Sequence, residues 1–397
     1  MSLAHGRHTL AIPGPSVMPD RVLRAMHRAA PNIYEGALVN MMPALVADLK
    51  AVAKTDGNVA IYIANGHGAW EAALANTHSR GDKVLVLATG RFAHGWAEMA
   101  ARLGVECDIV DFGKSADIDL DRAAEALAAD KAHAYKSVLI THVDTSTSVK
   151  NDVAAVRGVL DAAGHPALFM VDCIASLACD RFAMDAWGVD VMVAACQKGL
   201  MTPPGVAFVY FNARGDAARD KADCVSAYWD WRPRTSPADF YQYFGGTAPT
   251  HHLYGLREAL DMIAEEGLEN TYLRHEALAG AVWAAMTAWG GDGPLHLNVA
   301  DPTKRSCAVT TVGLGATLAT DLRRWVTEKA GLTLGIGLGM SETGKSSDGY
   351  FRVAHMGHIN SHMILGTLGV IEAGLSALDI PHGPGALDAA ARVCAQA

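Results

Sequence analysis

Two apolar patterns alternate along the first half of the chain. Short runs rich in Val, Ile, Leu and Ala occur at Val59–Ile63, Lys83–Leu87, Glu106–Asp111, Ser137–Thr141, Ala167–Val171, Val189–Ala195 and Ala207–Phe211. Their length and near-continuous apolar character predict strands buried on both faces. Between them, apolar residues spaced three or four apart predict helices over Ala69–Thr77, Phe92–Leu103, Leu120–Ala129 and Val153–Ala163. Two earlier helices are predicted over Pro19–Met26 and Asn40–Lys54, the second with Met42, Leu45, Val46, Leu49 and Val52 along one side. Strands alternating with helices imply a largely parallel sheet with helices on both faces.

From Ala213 to Thr250 the pattern breaks into a polar connection holding Tyr228, Trp229, Trp231, Tyr241, Tyr243 and Phe244. A long irregular segment inside a compact protein tends to be functional or to pack against a partner chain. Helical patterns follow at Leu253–Glu266 and Thr271–Trp289, then a smaller α+β unit. The expected organisation is an N-terminal arm (1–20), a large domain (21–265) and a small C-terminal domain (266–397).

Composition narrows the function. Half of the 397 residues are apolar and 19% are charged, as in ordinary globular proteins. A formal charge of −9 argues against nucleic acid or anionic membrane as the main partner, leaving a small metabolite. The seven cysteines form no CxxC pair and read as reduced core thiols, with no metal site expected. No apolar run reaches membrane-spanning length and no secretory leader opens the chain, so the expected location is cytoplasmic.

Two strand ends carry candidate chemistry. Val189–Ala195 runs into Cys196-Gln197-Lys198-Gly199, and Ala167–Val171 ends in Asp172. Desolvation at such a position lowers a lysine's pKa and frees its amine as a nucleophile. Asp172 falls at the carboxyl end of its strand, where open α/β sheets bind ligands. The plain alternatives are a solvated loop lysine and a helix-capping aspartate.

Other positions fit a flat anionic cofactor. Asn65-Gly66-His67-Gly68 lies between a strand and a helix start, where backbone N–H groups can face an anion, or simply make a tight turn. Phe92 follows the next strand and offers a ring face, or a core contact. His142-Val143-Asp144-Thr145-Ser146-Thr147 clusters acids and hydroxyls that can bind a ligand or cap the next helix. Arg352, in the apolar stretch Phe351-Arg352-Val353-Ala354, needs an anion, either a substrate carboxylate or a structural salt bridge.

With these residues assembled, the chain resembles the class V (fold type I) pyridoxal phosphate aminotransferases, nearest to the serine:glyoxylate and alanine:glyoxylate enzymes. The likeness runs through Ile12-Pro13-Gly14-Pro15, Gly66-His67-Gly68-Ala69-Trp70-Glu71, Arg80-Gly81-Asp82-Lys83, Gly164-His165-Pro166 and Gln197-Lys198-Gly199-Leu200-Met201. It continues through Leu253-Tyr254-Gly255-Leu256-Arg257-Glu258, Glu266-Gly267-Leu268-Glu269-Asn270 and Phe351-Arg352-Val353. The resemblance implies an α/β fold whose large domain has a mostly parallel seven-stranded sheet, beside a smaller α+β domain.

By the same resemblance the cofactor is pyridoxal 5'-phosphate. Lys198 carries it covalently and Asp172 pairs with its ring nitrogen, both as catalytic residues. Phe92 matches the stacking aromatic, Thr145 the hydroxyl near the ring oxygen, and Ile174 the apolar residue under the ring. Gly66, His67 and Gln197 match the phosphate-binding positions. Thr247 matches the residue that reaches the phosphate from a neighbouring subunit, which implies a homodimer with the site at the subunit interface. Arg352 matches the arginine that grips the substrate α-carboxylate. The implied reaction moves the amino group of a small amino acid, serine or alanine favoured, to glyoxylate or a similar 2-oxo acid.

The chain also departs from that family. A His-Arg-Ser segment is common where this chain has Asn32-Ile33-Tyr34-Glu35-Gly36, Ser148 stands where glycine is usual, and the link Gly344–Tyr350 is longer. These changes bear on the donor, so aspartate or ureidoglycine with glyoxylate, or a lyase activity, are the alternatives. A desulfurase needs a mobile cysteine ahead of the arginine, and no cysteine lies between Val312 and Arg352.

Overall fold

The computed structural model describes residues 2–315, 317–341 and 349–397, so most of the Gly344–Tyr350 link lies outside the described residues. The strands in chain order are β1 (Thr9–Ala11), β2 (Asn58–Tyr62), β3 (Lys83–Ala88), β4 (Glu106–Asp111), β5 (Tyr135–Thr141), β6 (Val143–Asp144) and β7 (Val149–Lys150). They continue with β8 (Leu168–Asp172), β9 (Val191–Ala195), β10 (Ala207–Phe211), β11 (His296–Leu297), β12 (Val309–Gly315), β13 (Leu332–Ile336) and β14 (Gly349–Ala354).

Seven of them form one sheet in the order β2-β10-β9-β8-β5-β3-β4. Only β10 runs antiparallel to its neighbours, β2 and β9. The apolar runs are continuous because both faces are covered. Phe169 and Val171 of β8 join one hydrophobic cluster while Leu168 and Met170 join the other, and Met192 and Val193 of β9 divide the same way. This is the two-residue period of a strand with helices on both sides.

A second sheet, β1-β13-β14-β12-β11, combines the N-terminal strand with four strands from the last third of the chain. Its core is separate, gathering Leu278 to Trp289 of the helix Leu268–Gly290 with Phe351, Val353 and Leu368. The N-terminal strand belongs here, since Thr9 pairs with Leu332 and Ala11 with Leu334 in parallel register. The turn that follows β1 then meets the residues after β9 of the large sheet, where the Ser16 N–H donates to the Gln197 carbonyl at 2.9 Å.

Elements mostly lie where the apolar pattern puts them, with three informative differences. The helix predicted from Ala69 begins at Gly66, because the Asn65 side chain caps it by accepting from the His67 and Gly68 N–H groups. Thr145 lies in a tight hairpin between β6 and β7, not before a helix. The irregular segment contains short helices at Ala213–Ala218, Arg232–Thr235 and Phe240–Phe244. It is anchored by buried Arg234, which donates to the carbonyls of Ile61 (2.9 Å), Tyr243 (3.2 Å) and Tyr228 (2.5 Å). No described helix is long and apolar enough to cross a membrane.

Candidate active site

Eight of the ten residues singled out in the sequence line one cavity of about 250 Å³: Gly66, His67, Phe92, Thr145, Asp172, Ile174, Gln197 and Lys198. It opens at the carboxyl ends of β8 and β9, where the strand ends and the following turns expose side chains.

Lys198 follows β9, with its amine enclosed and its stem reaching the cavity. The amine donates to the Pro13 carbonyl, and the Lys198 carbonyl accepts from Ser16 Oγ at 2.7 Å. Burial, reinforced by the positive charge of Arg352, lowers the amine's pKa to about 8, against an opposing pull from Asp172. The N-terminal turn must pass close: a Cβ on Gly14 would overlap the Lys198 side chain, and Gly14 itself has φ +106°.

Asp172 is the last residue of β8 and is buried. Its Oδ1 accepts from the Ile174 N–H at 2.7 Å, a local turn bond of the kind the capping alternative anticipates. Its Oδ2 accepts from Trp70 Nε1–H at 3.0 Å and so ties the carboxylate to a different helix. Burial pushes this carboxyl up to about pH 7, while those two donors hold it down.

Gly66 opens the helix Gly66–Thr77 and packs directly against Ile174, whose Cδ1 would lie 2.5 Å from a Cβ at position 66 and would have to shift to admit one. The Asn65 cap already uses the His67 and Gly68 N–H groups. They are therefore less available to an anion than the sequence pattern implies. Burial first, and then nearby Arg91, lower the pKa of His67 and favour its neutral form. Gln197 Oε1 is buried with no hydrogen-bond partner among the described residues.

Phe92 sits in the first turn of the helix Arg91–Arg102, and its N–H donates to Asp144 Oδ2 at 2.7 Å. Asp144 is wholly buried, and also accepts from the Ser146 N–H at 2.9 Å. The hairpin thus sets the start of this helix and Thr145 together.

Arg352 lies within β14, outside the residues that line the cavity. Its Nε donates to the Ile336 carbonyl at 2.6 Å and its Nη1 to the Thr145 carbonyl at 2.8 Å. No carboxylate pairs with it among the described residues. Burial lowers its pKa to about 10, with Asp144 opposing, so it stays cationic at neutral pH.

Thr247 is exposed and does not line its own chain's cavity. Trp70 and Ser16 received no role from the sequence, because each acts through a contact between distant segments, whereas Asp144 was read as part of the acid and hydroxyl cluster and fixes the start of the helix Arg91–Arg102 through the Phe92 N–H. The only signal for Trp70 was that it lies inside a motif already singled out. Among the described residues no group of three His, Cys, Asp or Glu side chains could hold a metal ion.

The arrangement suits a flat, phosphorylated aldehyde. A lysine amine that is partly neutral near pH 8, a buried carboxylate, an aromatic ring and a partnerless amide converge on one cavity with a glycine-opened helix start.

A family model described as Aminotransferase class-V matches residues 20–341. A serine–glyoxylate aminotransferase of Methylorubrum extorquens is 36% identical over 396 residues, covering 97% of this chain and 95% of that protein. An L-aspartate–glyoxylate aminotransferase of Paracoccus denitrificans is 35% identical over 393 residues, covering 97% and 96%. Among solved structures, pyridoxamine–pyruvate aminotransferase from Mesorhizobium loti is similar with a TM-score of 0.88 at 23% identity, covering 99% of each chain.

Proposed function

The chain belongs to the class V aminotransferases, and from that premise we propose that it moves the amino group of a small amino acid, serine or alanine first, to glyoxylate or a similar 2-oxo acid. The observation that carries this reading is the convergence of Lys198, Asp172, Phe92 and Gln197 on one cavity, with cationic Arg352 beside it. The serine- and aspartate-specific names of the two relatives support glyoxylate as acceptor and keep aspartate as the alternative donor.

In this reading the cofactor is pyridoxal 5'-phosphate. Lys198 would hold it covalently, Asp172 would hold its ring nitrogen, and Phe92 and Ile174 would give it apolar walls. Thr145 would meet the ring oxygen, while Gly66, His67 and Gln197 would take the phosphate. Once bound, the group supplies an electron sink for charge developing at the substrate Cα. The protein's own part is electrostatic and positional. Arg352 binds the α-carboxylate and orients the Cα–H bond. Lys198, its amine freed once the substrate's amino group has replaced it on the cofactor, would take the proton from Cα as general base and deliver it, as general acid, to the carbon that was the cofactor's aldehyde. Asp172 would stay charged because the Ile174 and Trp70 N–H donors and a protonated ring nitrogen would all favour its carboxylate form.

The same reading makes the protein a cytoplasmic homodimer. Thr247 is exposed on a segment that also exposes Tyr228 and Tyr241, as expected if this segment reaches a second copy's cavity. The seven free cysteines fit a reducing compartment. The clusters on the two faces of the large sheet, set against a further cluster formed mainly by residues 278–390, support a large unit (21–265) and a small unit (266–397), with 1–20 as an arm that adds Ala11 to the latter cluster.

The test is a donor screen. Protein loaded with pyridoxal 5'-phosphate is mixed with glyoxylate and serine, alanine or aspartate, and glycine is quantified. Serine or alanine should lead. Glycine formation from none of the three would overturn the assignment.

A further inference from the structure

We propose that Trp70 is a positioning residue for this reaction, its indole N–H fixing the Asp172 carboxylate at the cavity wall so that Trp70 acts on the cofactor through Asp172. The inference rests on the cofactor reading above and assigns a role to a residue that packing alone does not explain.

The geometry is specific. Asp172 has two oxygens to satisfy in a buried setting, and the Ile174 N–H reaches only Oδ1. Oδ2 receives the Trp70 N–H at 3.0 Å, from a residue 102 positions away. A buried carboxylate that loses a donor takes up a proton rather than stay charged. Of the charged groups acting on Asp172, Asp144 favours that protonation and Lys198 resists it. The indole N–H is thus one of two hydrogen-bond donors, with the Ile174 N–H, that oppose protonation of the buried carboxylate.

The indole cannot easily turn away. Its ring stacks on Trp96 (6.2 Å between centroids, 16° between planes) and meets Phe92 edge-on at 6.2 Å. Its outer edge is confined as well: a Cβ on Gly95 would come 3.3 Å from Trp70 Cζ3. The stacked neighbour provides an internal comparison. Trp96 Nε1 is buried without a partner among the described residues, whereas Trp70 Nε1 is aimed at a carboxylate. Apolar filling needs no hydrogen-bond donor, so the N–H is the feature that needs a reason. Trp70 also lies one turn beyond Gly66 and His67 on the same helix, with the His67 ring 4.7 Å away. One rigid element thereby sets both ends of the cavity.

The experiment compares wild type, Trp70→Phe, Asp172→Asn and the double variant. Equilibrium dialysis gives the Kd for pyridoxal 5'-phosphate at pH 6 and pH 8, and the loaded enzymes give the pH profile of kcat/KM. Losing a hydrogen bond to a charged group should weaken cofactor binding by about 10- to 100-fold in Trp70→Phe. The acid limb of its profile should move to higher pH. In the Asp172→Asn background the same change should alter Kd by less than about threefold, because there is no carboxylate left to hold. Additive effects, an unmoved Kd and profile, or failure of Trp70→Phe to give soluble protein would each assign Trp70 to core packing and overturn the inference. Wild type that takes up no pyridoxal 5'-phosphate would instead overturn the cofactor reading itself.

Discussion

Arg352 Nη1 donates to the backbone carbonyl of Thr145 at 2.8 Å, joining residues 207 positions apart. The bond fastens β14 of the small sheet to the hairpin that lines the cavity. One guanidinium therefore carries two duties, a fixed contact to the main chain and a charge that no carboxylate among the described residues pairs with.

Those duties separate experimentally. Arg352→Ala should raise KM for the amino donor by about 10- to 100-fold, the loss of a charge-assisted pair, while cofactor content by absorbance stays near wild type. Parallel loss of both would mean that the arginine serves mainly to hold the hairpin.

The approach of the N-terminal turn to Lys198 leaves no room for a side chain at position 14. Gly14→Ala combines strain at φ +106° with a clash against the lysine stem. Displacing a reacting group by about 1 Å costs on the order of 100-fold in rate, and kcat should fall by about that factor. Activity within twofold of wild type would show that the turn yields without moving the lysine.

The raised pKa of Asp172 makes a signed prediction for the cofactor-free protein. The ordinary value is 3.8 and the folded value about 7. The folded state thus keeps a proton that the unfolded chain releases as pH rises from about 4 to about 7, and stability falls across that interval. Three pH units correspond to at most ~4 kcal/mol. Lys198 acts higher up: its folded pKa, about 8, lies below the ordinary 10.5, so stability rises between those values. Urea unfolding at pH 5 and pH 7 checks the first part. The decline should be smaller in Asp172→Asn, and equal slopes in the two proteins would remove the basis for it.

Arg234 tests whether the irregular segment depends on its buried cation. Three main-chain carbonyls accept from it, and its ring neighbours are Tyr62 and Tyr228, with guanidinium-to-centroid distances of 4.3 and 4.9 Å. Arg234→Met fills similar volume and leaves those carbonyls unsatisfied, which should cost about 2–5 kcal/mol. Chemical denaturation would read the loss, and a change under about 0.5 kcal/mol would mean that water replaces the guanidinium.

Much of this protein was legible along the chain because its determinants are local. The apolar runs at Leu168–Asp172 and Val191–Ala195 specify buried strands, and strand ends are where a parallel sheet offers ligand sites, so Asp172 and Lys198 stood out together. The motifs around Gly66, Gln197 and Arg352 likewise carried family membership by residue type and order. Long-range closure decided the rest. The pairing of Thr9–Ala11 with Leu332–Leu334, the seat of the Pro13 carbonyl on the Lys198 amine, the indole donor on Asp172 and the arginine bond to Thr145 all join segments far apart in the chain. No periodicity records such contacts, because a hydrogen-bond partner is set by where two elements come to rest. The pKa values of Lys198 and Asp172 followed for the same reason, since burial is a property of the packed molecule.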